Sequence, residues 1–207
     1  MASSPEKKRL RVETIAHVLN LDAAARAEQE RLLIARVSAL ASYRKAGTVL
    51  LYVRAFPEEI DTGPLLADAL GSDKRLACPR VDRRAGGLIL HEIRDPVRDL
   101  RAGMLNIPEP SPDAPVIEPG KVDWVLAPGV AFDVLGNRLG RGAGHYDRLL
   151  PRLRKDVEVW AAAFDRQIVD DLPVEPHDVP LDGIVTPTRI LIRDQSAASH
   201  EASGGTA

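Results

Sequence analysis

The apolar positions of this chain fall into two alternating patterns, one at helical spacing and one in short continuous runs. Residues 5–20 place Leu10, Ile15, Val18 and Leu19 on one stripe, and Ser3-Ser4 ahead of Pro5 supplies a cap with proline in the first turn. A second helix is predicted after Asp22 to about Tyr43, with Leu33, Val37, Leu40 and Ala41 facing inward. Gly47 closes the link to TVLLYV (48–53), a run of the kind that fills a strand buried on both faces. Thr62, as cap, and Pro64 open a predicted helix over 62–70, and strands follow at RLACP (75–79) and GLILHEI (87–93). The proline-rich NIPEPSPDAPVIEPG (106–120) predicts loop. VDWVLAP (122–128) is the most apolar strand, 145–155 reads as helix, VEVWAAAF (157–164) as strand, and DGIVT (182–186) and RILIR (189–193) as closing strands. Strands alternating with helices predict an α/β fold with a mostly parallel sheet, one domain over 1–193. Residues 194–207 contain no aromatic or branched aliphatic side chain and predict a disordered tail.

Composition narrows the function. The 207 residues carry a formal net charge of −2, which argues against a surface that coats nucleic acid or an anionic membrane. The lone Cys78 excludes a disulfide framework and a cysteine zinc site, and the five histidines show no HExxH spacing. No apolar run approaches the roughly 20 residues of a membrane span. The N-terminus, MASSPEKKRLR, lacks the apolar core of a signal peptide, so a cytoplasmic location is expected. The cations are nevertheless clustered: 7–11 hold four and no acid, and 138–154 hold five arginines against Asp147 alone. Those segments carry +8 and the rest of the chain −10, so the near-zero total leaves a focused anion pocket open.

The segment LAPGVAFDVLGNRLGRGAGHYDRLL (126–150) is the richest in chemistry. A strand ends at Pro128, and Gly136, Gly140, Gly142 and Gly144 follow in a loop that runs into a helix. Glycines let consecutive N–H groups converge on an anion, and a helix N-terminus adds its dipole. Arg138, Arg141 and Arg148 add charge, and Asp147 stands where it would hold Mg²⁺ against phosphates. Neither GxxxxGK[ST] nor GxGxxG is present, so the residues alone indicate an anion site, against the alternative of a solvated surface loop.

GVAFDVLGNRLGRGAGHYDRLL resembles the signature of the 5-formyltetrahydrofolate cyclo-ligase (5,10-methenyltetrahydrofolate synthetase) family, whose pattern runs close to PGxxFDxxGxRLGxGxGYYDRxL. KKRLR (7–11), EEIDT (58–62), NIPEP (106–110) and AAFDRQIVDDLPVEPHDVPLDGIVT (162–186) match further family segments in order. The resemblance implies a three-layer α/β/α sandwich of the sugar-phosphate isomerase/CoA-transferase type. It implies a ligase that closes 5-formyltetrahydrofolate to 5,10-methenyltetrahydrofolate with ATP and Mg²⁺. In that family ATP phosphorylates the formyl oxygen, N10 attacks the resulting iminophosphate carbon, and phosphate leaves.

By the same resemblance, ATP is bound by Lys7, Lys8 and Arg11 on the first helix. The loop residues Arg138, Gly140, Arg141, Gly142, Ala143, Gly144, His145 and Tyr146 complete the nucleotide site. Folate falls to Arg11, Arg54, Glu59 and the stretch Arg141, Gly142, Ala143, Gly144 and His145. Arg141, His145 and Tyr146 carry the catalytic roles, and Asp147 and Asp178 the metal. Glu59 would pair with the donor edge of a pterin, with Glu58 and Asp61 as its neighbouring controls. The expected partner is a reduced folate, with no nucleic acid, no membrane and a monomeric chain.

Three positions depart from the family pattern: His145 replaces a tyrosine, Ala143 stands where relatives carry Lys or Gly, and Leu105 where they often carry an aromatic. They motivate the alternative of a paralogue with altered activity. An RNA-binding module using the arginine-rich loop is the alternative from another class, opposed by the near-neutral charge and by aromatics in predicted strands. Cys78, His17, His91, Trp124 and Trp160 read as structural, and Arg83-Arg84 as a solvated turn.

Overall fold

The computed structural model describes residues 4–103 and 107–194. The N-terminal helix α1 (Pro5–Leu19) starts as its sequence dictates: Ser4 Oγ accepts from the Lys7 N–H at 3.1 Å and Pro5 fills the first turn. Asp22 caps α2 (Ala23–Ala39), its carboxylate accepting from the N–H groups of Ala24 and Ala25. The predicted helix to Tyr43 is instead broken at Leu40, whose extended backbone (ψ 130°) separates α2 from α3 (Ala41–Lys45). That break turns Tyr43 into the core edge-on to Trp124, with its hydroxyl donating to Asp68, and leaves Ala41 exposed.

Strand β1 (Thr48–Leu50) leads through a long loop to α4 (Gly63–Gly71), then β2 (Arg75–Asp82) and β3 (Gly87–Ile93). Thr62 does not cap α4 with its side chain; its hydroxyl donates to Tyr52 O across the loop, and Asp61 accepts the Gly63 N–H. The short α5 (Pro96–Asp99), capped by Asp95, and β4 (Leu100–Ala102) follow. The proline-rich segment predicted as loop contains two short strands, β5 (Pro108–Pro110) and β6 (Val116–Ile117). Both are edge pairings, where a missing proline N–H costs nothing. Then come β7 (Trp124–Leu126), a hairpin of β8 (Ala131–Phe132) and β9 (Arg138–Leu139), α6 (His145–Leu149), β10 (Glu158–Ala162), β11 (Gly183–Val185) and β12 (Ile190–Ile192). The helix predicted over 145–155 is only α6 and one 3₁₀ turn at Leu150–Arg152, because Pro151 ends it.

Eight strands form the main sheet in the order β12-β11-β10-β7-β1-β2-β3-β6. The five central strands, β11 to β2, run parallel, and the remaining three join antiparallel at the edges. Successive residues point to opposite faces. Val49, Leu51, Leu76, Trp124 and Leu126 pack with Leu33, Val37, Tyr43 and Leu65 from the helices. Leu50, Ala77, Val125, Val159 and Ala161 pack with Tyr146, Leu149 and Leu150 on the other face. This two-sided burial is why TVLLYV and VDWVLAP read as unbroken apolar runs. Cys78 is fully buried, while Leu19 lies at the exposed end of α1.

From β1 the chain winds through α4 to β2 on one side; from β7 it winds through α6 to β10 on the other. The strand order therefore reverses between β1 and β7. In a sheet of this kind the crevice at the carboxyl ends of the strands flanking such a reversal is the natural ligand site.

Candidate active site

Three connections converge at that crevice: loop 51–62 after β1, loop 127–144 after β7 with its hairpin, and loop 163–182 after β10. The hairpin is fixed from within. Asp133, fully buried, accepts from the N–H groups of Leu135 and Asn137 and from Asn137 Nδ2, and Gly136 supplies the positive φ (+85°) of the turn. Gln167, also buried, accepts the Phe164 N–H and donates to the carbonyls of Gly129 and Val130, fastening loop 163–182 to the hairpin. The side of α1 packs on β8 and on the turn at 165–167, which brings Lys7 and Arg11, one helical turn apart, to the crevice.

Together these elements enclose a cavity of about 530 Å³. The glycine loop forms one wall. Gly142 (φ +106°) and Gly144 (φ +64°) hold backbone conformations that side chains resist, which explains their place in the sequence. Arg11 Nε donates to the Gly140 carbonyl at 2.7 Å, locking α1 to the loop. Arg138 lies almost wholly buried beneath it. Its Nη2 donates to Asp147 at 2.7 Å, its guanidinium sits 5.6 Å from the Tyr146 ring centroid, and its Nε has no hydrogen-bond partner among the described residues. The buried Tyr146 hydroxyl is also without one. Burial pushes that hydroxyl's titration far up, so it stands as a neutral donor. Arg148 donates to the Ala143 carbonyl and lies 3.2 Å from His145 Nδ1.

Opposite the loop stand the acids of loop 51–62. Glu59 Oε2 accepts from the N–H groups of Ala55 (2.7 Å) and Phe56 (3.2 Å), while Oε1 has no hydrogen-bond partner among the described residues. Burial raises the Glu59 carboxyl above its ordinary range, against the lowering pull of those two N–H groups and Arg54. Glu58 is 3% exposed and pairs with Arg141, whose guanidinium lies over the Phe56 ring. Arg141 thus crosses from the glycine loop to the acidic loop. At the third side, Lys7 Nζ lies 3.0 Å from both Glu175 and Asp178. Burial alone would lower the Lys7 titration, but these two carboxylates outweigh it and raise it.

Of the residues singled out in the sequence, Lys7, Arg11, Glu59, Arg138 and Gly140 through Asp147 all line the cavity, as does Asp178. Two do not. The Lys8 side chain is exposed on the outward side of α1, and Arg54 folds back to donate to the carbonyls of Phe56 and Pro57. Leu105 lies outside the described residues. α6 is only five residues long, so its dipole is small and the arginines supply the positive charge at this wall, a correction to the helix-dipole contribution expected from the sequence. Sequence reasoning missed Phe56 and Glu175, and treated Glu58 only as a control. Phe56 also corrects the expectation that aromatics sit only in strands, whereas Trp124 and Trp160 are core residues as expected. Nothing in a Glu-Glu pair or a lone Phe after a strand marks it as facing a cavity.

The orphaned donors of Arg138 and Tyr146, beside glycines without side chains, fit an anion with several acceptor oxygens, as a polyphosphate has. Asp147 and Asp178 face the same cavity. No group of three or more His, Cys, Asp or Glu gathers as a metal cage among the described residues. Two carboxylates fit Mg²⁺, which completes its shell with phosphate oxygens and water rather than with an all-protein cage. No helix among the described residues is long and apolar enough to cross a membrane.

Comparison with known proteins agrees with this geometry. Residues 3–187 match the profile of the 5-formyltetrahydrofolate cyclo-ligase family. The chain is similar to the 5-formyltetrahydrofolate cyclo-ligase of Escherichia coli K12, 35% identical over 147 residues, covering 70% of this chain and 80% of that one. It is 28% identical over 188 residues to the Mus musculus protein of the same name, covering 86% and 92%. The solution structure of Aquifex aeolicus 5,10-methenyltetrahydrofolate synthetase superposes with a TM-score of 0.79 at 32% identity, covering 91% and 93%.

Proposed function

The chain belongs to the 5-formyltetrahydrofolate cyclo-ligase family, and from that premise we propose that it closes 5-formyltetrahydrofolate to 5,10-methenyltetrahydrofolate with ATP and Mg²⁺, releasing ADP and phosphate. The observation that carries this reading is the composition of a single cavity. A glycine loop with buried and half-buried arginines forms one wall, and a half-buried carboxylate with one open oxygen, Glu59, stands across from it.

The formamide at N5 is a poor electrophile, and its oxygen is a poor leaving group. ATP would supply the phosphoryl group that makes this oxygen leave, and Mg²⁺ would neutralise phosphate charge. The work of the chain is then binding and orientation. Lys7, Arg11 and Arg138 with the open glycine backbone would hold the polyphosphate. Lys7 would exchange part of its pairing with Glu175 and Asp178 for phosphate oxygens, which frees Asp178 to join Asp147 at the metal. Arg141, half-exposed above Phe56, reaches between the two halves of the cavity, where the phosphoryl group would pass from ATP to the formyl oxygen and negative charge would build on the departing ADP. The Tyr146 hydroxyl, neutral and unpartnered, would donate to an oxygen at that point. Glu59 would take the donor edge of the pterin through Oε1 and thereby set the direction in which N5 and N10 face. His145 places a flat ring beside the same space, braced by Arg148.

The test is turnover of purified protein with (6S)-5-formyltetrahydrofolate, read at the methenyl absorbance. Product should form only when both ATP and Mg²⁺ are present. Binding of the folate without ATP-dependent product would leave a binding protein, not this ligase.

A further inference from the structure

Glu59 owes its place to two residues that do not line the cavity. Arg26 and Glu30 sit one turn apart on α2 with side chains mostly buried, and Arg26 Nε donates to Glu30 Oε1 at 3.1 Å. From that pair, Arg26 Nη2 donates to the Glu59 carbonyl at 2.7 Å, and Glu30 Oε1 accepts the Asp61 N–H at 3.2 Å. The two side chains offer loop 51–62 the donor and acceptor that one residue of a parallel neighbouring strand would supply. The Arg26 guanidinium also lies 5.3 Å from the Phe164 ring centroid, and Phe164 is fully buried just past β10. Arg26 therefore ties the position of Glu59 to the sheet itself.

The turn that carries Glu59 is also held by bonds within itself. Its Glu59 N–H donates to the Phe56 carbonyl, and the Glu59 carboxylate folds back onto the N–H groups of Ala55 and Phe56. These bonds keep the turn's shape. They do not set where the turn stands relative to the glycine loop. Thr62, accepting the Arg54 N–H and donating to the Tyr52 carbonyl, closes the neck of the loop. Glu58, paired with Arg141, and Ile60, buried in the core, hold the turn on either side of Glu59, and the Arg26–Glu30 pair grips the backbone at Glu59 and Asp61 from the adjoining helix layer.

We infer that Arg26 and Glu30 are positioning residues for Glu59, setting the cavity's affinity for a reduced folate from outside the cavity. The inference rests on the role proposed above for Glu59. A displaced recognition group of this kind costs affinity steeply with distance, while Lys7, Arg11 and the glycine loop, held by other contacts, keep the nucleotide half intact.

Calorimetric titration of the full chain separates this from a general anchoring role. Two ligands are used: (6S)-5-formyltetrahydrofolate without nucleotide, and a non-hydrolysable ATP analogue with Mg²⁺. Arg26→Met keeps an apolar stem over Phe164 and loses the fork; Glu30→Ala loses the acceptor, and Glu30→Gln keeps it. The expected result is about 10-fold weaker folate binding for Arg26→Met and Glu30→Ala, with the ATP analogue within about 2-fold. Glu30→Gln should bind folate like the parent chain. Arg26→Met combined with Glu59→Gln should bind it no more weakly than Glu59→Gln alone. Unchanged folate binding in Arg26→Met, equal losses for both ligands, or additive losses in the double variant would overturn the inference while leaving the role of Glu59 standing. Parent-like folate binding by Glu59→Gln would overturn that role and this inference with it.

Discussion

Glu59→Gln should make the ligand-free protein more stable while damaging its affinity for folate. Burial holds the Glu59 carboxyl above its ordinary titration range, and only two backbone N–H groups and Arg54 offset that cost. Below the unfolded-state value of about 4.3, both states bind the proton and Glu59 is neutral to stability. As pH rises further, the unfolded chain ionises before the folded one, so the parent protein loses stability until the folded-state value is passed. Glutamine can keep the Ala55 and Phe56 bonds through its own oxygen and carries no charge. The variant should therefore match the parent near about pH 4 and exceed it by on the order of 1 kcal/mol at about pH 7.5. For a chain of this length that is roughly 2–4 °C in Tm. The same geometry sets the binding loss. With its oxygen turned to the backbone, the glutamine presents NH₂ where Oε1 faced the cavity, donor against the pterin's donor edge. Forfeiting a charge-assisted contact worth about 1.5–3 kcal/mol corresponds to roughly 10- to 150-fold in Kd. Urea unfolding at the two pH values, with calorimetry on the folate, reads both effects. A variant less stable than the parent at the higher pH, or one that loses ATP affinity as much as folate affinity, would refute the reasoning.

Three further outcomes follow from individual contacts. Arg141→Met leaves Glu58 buried without its partner; since Arg141 is itself 39% exposed, thermal unfolding should show a loss of only about 1–3 kcal/mol, which Glu58→Gln in the same chain recovers without restoring turnover. Asp147→Asn removes a carboxylate from the nucleotide wall and should raise the Mg²⁺ needed for half-maximal rate by about 10-fold, as a magnesium titration of the methenyl signal would read. Gly183→Ala places a methyl group into the ring of Trp160, which is held by its neighbours in the sheet; melting should show about 1–3 kcal/mol of destabilisation with turnover per folded molecule retained.

The parallel core of the sheet was readable in the sequence because strands buried on both faces appear as unbroken apolar runs, as at Thr48–Leu50 and Trp124–Leu126. The break at Leu40 was not, since its cause is tertiary: Tyr43 must reach Trp124 and Asp68. Proline punctuation misled at 108–117, where edge pairing tolerates what a central strand would not. The glycine loop and Lys7, Arg11 and Asp178 were legible through family resemblance and do share one cavity. Lys8 has the same residue type as Lys7 but lies one residue, about 100°, further round the helix, which turns it to solvent. Arg26, Glu30, Glu58 and Phe56 were silent because each acts through a contact with a residue far away in the chain. Such pairings leave no local pattern.

The proposed chemistry makes one atom-level demand: the formyl oxygen must leave as part of phosphate. Substrate labelled with ¹⁸O in the formyl group, incubated with the full chain, ATP and Mg²⁺, tests it directly. The account predicts methenyl product, ADP and phosphate in equal amounts, with the label in phosphate. Product formed without ATP, or label recovered in water, would contradict it.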